Sequence, residues 1–173
     1  FQPLFHVRRG GKITILPVSL NESEYQFVTD LKTWCDNNID DLQRDEMELF
    51  LIRNMSRGKG VGFFEAGSFH PDFIMWMLVG GKQYVTFIEP HGLLHEGPAS
   101  KKILFHKQIK DVEQRLKDPT VILNSFILSW TQYPQLQWGN TQAELEGMHV
   151  LFMNDDRDKY IDKLFNRLRG MMK

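Results

Sequence analysis

Asp72 and Glu89 stand apart from the other acidic residues of this chain because of where they fall. In "FHPDFIMWMLVGGKQYVTFIEPHGLL", residues 69 to 94, Asp72 opens one apolar segment and Glu89-Pro90-His91 closes the next. An unpaired buried carboxylate is costly, so a charge at the mouth of an apolar segment calls for a compensating group. Pro90 lacks an N–H, which places it at a strand end or bulge and leaves its carbonyl available to a ligand. Two carboxylates and a backbone carbonyl make an oxygen-rich set suited to Mg2+, or to Mn2+, which accept a few protein oxygens and keep several waters. Such an ion polarises a phosphodiester and lowers the pKa of its bound water. The plain alternative is a surface Pro-Asp pair that caps a strand, the commoner role of that dipeptide.

The elements that must position these groups follow from local pattern. "DFIMWMLV" and "QYVTFIEP" are rich in β-branched and aromatic residues and are joined at Gly80-Gly81, which predicts an antiparallel hairpin with both acids at one end. Glu89 and His91, two residues apart, share a face if the strand runs through Pro90. Phe27, Val28, Leu31, Trp34 and Cys35 recur at helical spacing, and Asn21 with Glu24 fits a capping box, so a helix is expected over 22 to 37. "EMELFLIR" is compatible with a strand or a short helix. A second amphipathic helix is expected over 101 to 117, ending before Asp118-Pro119, then strands at "VILNSFILSW" and "MHVLFM" and a closing helix on Tyr160, Ile161, Leu164, Phe165 and Leu168. The sum is an α/β domain with a sheet covered by helices.

Between the first helix and Asp72 lies "RNMSRGKGVG", whose Arg53, Arg57 and Lys59 sit among glycines. Glycines let a backbone approach phosphate closely, and these cations suit a nucleic-acid backbone without sequence readout; a solvated basic turn is the bland reading. Any such footprint is local, because the chain carries 21 basic and 22 acidic side chains. With 173 residues, 42% of them hydrophobic, it reads as one domain with one sizeable core. Residues 1 to 19 form either an N-terminal β ribbon or a linker to a region upstream, and the chain reads as part of a longer protein. A lone cysteine, Cys35, fits a reducing, cytoplasmic setting, and the apolar runs are too short for a membrane span. Trp34, Trp76, Phe63 and Phe64 are expected in the core.

The order of helix glutamate, "PDF", hairpin turn and "FIEP-x-G" resembles the PD-(D/E)xK nuclease superfamily. More closely, "NESEYQFVTDL", "LIRNMSRGKGVGFFEAGSFHPDFIMW" and "KQYVTFIEPHGL" resemble the nuclease-like domain C-terminal to DEAD/DEAH-box helicases of the type III restriction kind. The likeness is close over residues 20 to 95 and rests on element order elsewhere. It implies a restriction-endonuclease-like core, a central mixed β-sheet flanked by helices. It makes Asp72 and Glu89 ligands of Mg2+ or Mn2+, the Pro90 carbonyl a further contact, and Glu24 the helix acid, with Glu22 as the substitute on a rotated helix. It implies DNA as substrate, an upstream helicase or ATPase region of the same polypeptide, and a modification or specificity subunit as partner.

One position departs from the family pattern: His91 stands where lysine is usual. Lys82 is too far along the hairpin to replace it. Three readings therefore stay open. The first is a Mg2+-dependent DNA endonuclease with His91 in the lysine's place. The second is a catalytically weakened nuclease fold that binds DNA or docks on its helicase. The third is a hydrolase with a transition metal such as zinc on His70, Asp72 and His91.

Overall fold

The computed structural model describes residues 19–54, 60–63, 69–157 and 159–172. The expected N-terminal ribbon, apart from Ser19, and the side chains of Arg57, Lys59 and Phe64 lie outside the described residues.

Helix α1 (Glu22–Asn37) begins as its sequence demands. Asn21 Oδ1 accepts the Glu24 N–H at 2.9 Å, and Glu24 Oε2 accepts the Asn21 N–H at 3.1 Å, a reciprocal capping box. Its buried stripe is Glu24, Phe27, Leu31 and Trp34, spaced three or four residues apart. A short helix α2 (Ile39–Arg44), which the sequence pattern did not announce, leads to strand β1 (Glu48–Arg53). "EMELFLIR" is thus resolved as a strand rather than a helix, and its alternating exposure marks a sheet with one covered face.

β2 (Phe73–Val79) and β3 (Lys82–His91) form the expected hairpin, with Gly80 and Gly81 at φ 57° and 73° in the turn. Two successive positive φ angles are what a two-residue hairpin loop with the right twist needs. Helix α3 (Lys101–Leu116) then crosses over to β4 (Val121–Ser129), which lies parallel to β3. A 3-10 turn (Tyr133–Gln135), helix α4 (Gln142–Gly147), β5 (Val150–Phe152) and helix α5 (Tyr160–Gly170) complete the described chain. The sheet order is β1-β2-β3-β4-β5, with β1, β2 and β3 antiparallel and β3, β4 and β5 parallel.

Helices cover both faces. On one side Phe27, Leu31 and Trp34 of α1 meet Phe73, Met75, Tyr84 and Ile88 of the sheet and Tyr160, Leu164 and Phe165 of α5. Phe27 packs edge-on against Phe73 at 5.3 Å, and Trp34 stacks on Phe165 at 3.7 Å. Complete burial of one such ring contributes about 1.5–3 kcal/mol. On the other side Ile103, Phe105 and Ile109 of α3 and Leu145 of α4 pack on Phe87, Leu123 and Ile127. β4 is therefore buried on both faces from Leu123 on, while β1 and β2 leave Phe50, Ile52 and Trp76 exposed beyond the reach of α3. Trp76 is thus a surface residue, contrary to the expectation from its apolar neighbourhood: α3 packs over Phe87 on the same face of the hairpin, and Trp76 lies further out, beside the exposed Phe50 of β1.

Candidate functional site

The hairpin register carries the first contact. Phe73 pairs with Ile88, so Asp72 and Glu89 face each other one step beyond the last ladder pair. The Asp72 N–H donates to Glu89 Oε2 at 3.1 Å. β3 continues to His91 because β4 still supports it there: the Trp130 N–H donates to the His91 carbonyl at 3.0 Å. Alternation along a strand then turns the Pro90 carbonyl to the opposite edge, where β2 has already ended. That carbonyl accepts from Ser23 Oγ of α1 at 3.1 Å. Ser23 Oγ also lies 2.9 Å from Asn21 Oδ1, and a hydroxyl has one proton, so Pro90 O can be released to another ligand while Ser23 keeps a partner.

Two helix starts close over these strand ends. From α1, the buried Glu24 reaches Arg53 at the end of β1, Oε2 to Nη2 at 2.9 Å. From α3, Lys102 places Nζ 3.1 Å from Glu89 Oε1. Both oxygens of Glu89 are thereby held, one by an amide and one by an ammonium. Arg53, expected to meet a nucleic-acid backbone, donates from Nη2 to Glu24 Oε2 and to the Ser19 carbonyl at 3.3 Å. Glu22, the alternative to Glu24 on a rotated helix, is exposed, whereas Glu24 is buried.

Charge at this point is out of balance in one respect. Burial, then the neighbouring Glu89 and Glu24 carboxylates, push the Asp72 carboxyl up from 3.8 to about 8, against the partial relief of Lys102 and Arg53. Three acids share the space with two bases; those bases pair with Glu24 and Glu89, and Asp72 keeps its proton near pH 7. A divalent cation would reverse that by favouring the ionised form, which is the respect in which these residues fit one. They do not form a closed cage: among the described residues no three His, Cys, Asp or Glu side chains stand close enough together to hold a metal ion. Asp72, Glu89 and the Pro90 carbonyl are the groups left for an ion that keeps most of its waters. His70, Asp72 and His91 are not gathered as a ligand set, so the zinc reading finds no preformed site among the described residues.

His91 is half-buried, its Nε2 3.8 Å from Glu96 Oε1. Burial and the Lys102 charge lower its pKa below 6.5, with Glu89 and Glu96 opposing, so the ring is a neutral base near pH 7 and no substitute for a fixed cation. The fixed cation is Lys102, which the motif pattern did not single out. Its signal was present in "ASKK": two lysines in the first turn of a helix that carries no acid there run against the helix dipole.

Family models, curated proteins and solved structures were each compared with the chain, and none matches.

Proposed function

We propose that this chain is a Mg2+- or Mn2+-dependent DNA endonuclease domain of the PD-(D/E)xK kind, working within a larger helicase- or restriction-type protein. The observation that carries this reading is Asp72 set opposite Glu89 beneath the Lys102 ammonium, with Glu24 as a third acid at the same strand ends. The order helix, antiparallel hairpin strands, helix and parallel strand accords with a restriction-endonuclease-like core.

Asp72, Glu89 and the Pro90 carbonyl would hold the ion. Once bound, the ion supplies Lewis acidity toward a phosphodiester and a water of lowered pKa. The remaining work falls to the chain's own groups. Lys102 sets a fixed positive charge beside Glu89, where negative charge grows on a phosphate brought to the carboxylates. His91, neutral near pH 7 and two residues along β3 from Glu89, would accept a proton. Arg53 pins the buried Glu24, so that the third acid stays beside the strand ends.

A second reading has its own support. Both Glu89 oxygens are already engaged and His91 departs from the family's lysine, as a nuclease fold retained for DNA binding or helicase docking would allow. Incubating the purified chain, and the parent protein with its motor region, with DNA and Mg2+ or Mn2+ separates the two. Cleavage abolished by Asp72→Asn and Glu89→Gln supports the nuclease. If neither protein cuts while both still bind DNA, the weakened fold is the better account.

A further inference from the structure

Asp72 reaches its place through a loop, not from within a strand, so something must hold the backbone that delivers it. The residue that does so follows the last residue of β1. The Asn54 N–H donates to the Asp72 carbonyl at 2.7 Å. Its side-chain Nδ2 donates to the Pro71 carbonyl at 2.8 Å and to the Val61 carbonyl at 2.7 Å. Its Oδ1 accepts the Val61 N–H at 2.9 Å. A primary amide has two donor protons and one acceptor oxygen, and all of them are used here. Aspartate offers no donor, serine is too short to span both chains, and leucine fills the space without any bond.

The same backbone is gripped from a second side. The His70 ring lies against the Gly62 backbone so closely that a Cβ at position 62 would stand 2.1 Å from His70 Cε1. Glycine at 62 thus makes room for the ring that precedes Pro71-Asp72. Asn54 and the Gly62-His70 contact act on neighbouring residues, 61 with 62 on one strand of chain and 70 with 71 on the other. Neither touches the Asp72 carboxylate itself.

From these contacts we infer that Asn54 is a positioning residue for Asp72, fixing the acid in register with Glu89 through the backbone of Pro71 and Asp72. The inference rests on the metal-site reading above for its consequence, though not for its geometry. Outer groups that orient a ligating side chain typically cost about 10- to 100-fold in metal affinity when removed. Asn54→Ala and Asn54→Leu are therefore expected to weaken Mn2+ binding at least about tenfold by calorimetry. DNA affinity in the presence of a chelator should stay unchanged, because Asn54 acts through Asp72 and not on the substrate.

Gly62→Ala, which displaces the His70 ring and leaves every hydrogen-bonding group in place, is expected to weaken Mn2+ in the same direction. Amide exchange gives the readout that needs no metal. In Asn54→Ala the Val61 and Asp72 amides should exchange faster, with the α1 and α5 amides unchanged. Should wild-type protein take up no Mn2+ that Asp72→Asn abolishes, the metal reading fails, and the Asp72 amide alone then judges the inference. Unchanged Mn2+ affinity in both Asn54 variants, or an unchanged Asp72 amide in that event, overturns it.

Discussion

Lys102 Nζ stands 3.1 Å from Glu89 Oε1 across the gap between the start of α3 and the end of β3. Two residues further along β3, where the sequence motif leads one to look for a cation, is a histidine whose pKa is lowered by burial and by Lys102 itself. The ammonium beside Glu89 thus comes from the helix that packs on the sheet and not from the strand itself.

On the proposed nuclease reading, the consequence for activity is asymmetric. Lys102→Met is expected to lower kcat for DNA cleavage by about 100-fold or more, the scale of losing a charge aimed at a developing anion. His91→Ala should cost far less, within about tenfold, since a neutral base is partly replaceable by water. His91→Lys introduced into Lys102→Met should recover activity by restoring an ammonium near the carboxylates. Single-turnover cleavage of a plasmid measures all three. Equal losses at positions 91 and 102 would remove the distinction drawn between them.

Much of this arrangement is legible in the sequence because its signals are local. The capping box at Asn21 and Glu24, the 3.6-residue stripe of α1 and the Gly80-Gly81 turn are each set by a handful of neighbours, and each is where the pattern puts it. Asp72 and Glu89 come together because hairpin register follows from the turn. What is not legible depends on packing between distant segments. Lys102 meets Glu89 only because α3 crosses back over β3, and Arg53 turns to Glu24 only because α1 lies over the end of β1. Trp76 reads as core by its neighbours, yet its exposure depends on where α3 stops covering the sheet. α2 and α4, six residues each, are too short for periodicity to register.

The middle of the sheet holds an unusual polar pair. Thr86 and Asn124 are partners in the β3–β4 register and both are fully buried. Among the described residues, Thr86 Oγ1 and both polar atoms of the Asn124 side chain have no hydrogen-bond partner. A buried polar group without a partner costs about 1–3 kcal/mol, whereas replacing both members by apolar groups of similar shape is near neutral or favourable. Thr86→Val with Asn124→Leu should therefore raise the urea midpoint, by about 1 kcal/mol of stability, at unchanged m-value. A loss of stability in the double variant would mean that these groups are satisfied in solution.

His149 makes the fold sensitive to acid. Its ring stacks on Phe126 at 4.4 Å, its Nδ1 lies 2.9 Å from the Ser125 carbonyl, and its φ is 61°. Burial lowers its pKa to about 4; Arg167, His106 and Lys110 push the same way, and the Ser125 carbonyl opposes. A histidine whose folded pKa is depressed contributes stability that is present above about 6.5 and lost as pH falls from there through about 4. Asparagine tolerates a left-handed backbone better than most residues and does not titrate. His149→Asn should be less stable at pH 7, through loss of the stacked ring, yet show a shallower decline between pH 6.5 and 4 in urea midpoints. Parallel slopes in the two proteins would place the acid sensitivity elsewhere.

Asp72 gives the opposite pH dependence, and with it a test of the proposed metal site that needs no DNA. Its folded pKa is raised from 3.8 to about 8 by burial and by Glu89 and Glu24, so the folded state holds a proton that the unfolded chain releases between those values. Stability from this group is full below pH 3.8 and is lost as pH rises through about 8. Without metal, Asp72→Asn should therefore be the more stable protein at pH 8.5, by roughly 3–6 °C in Tm for a domain of this size, and the two should converge at acid pH. With the proposed metal site, excess Mg2+ should reverse the order: an ion that binds only the folded wild type stabilises it by mass action, and more so at high pH where the carboxylate is ionised. Asp72→Asn lacks the charge proposed to hold the ion and should show little Mg2+ shift. Scanning calorimetry across roughly pH 5 to 8.5, with and without Mg2+, reads both effects. A Mg2+ shift of equal size in wild type and variant would place the ion away from Asp72 and leave its raised pKa a cost of packing alone.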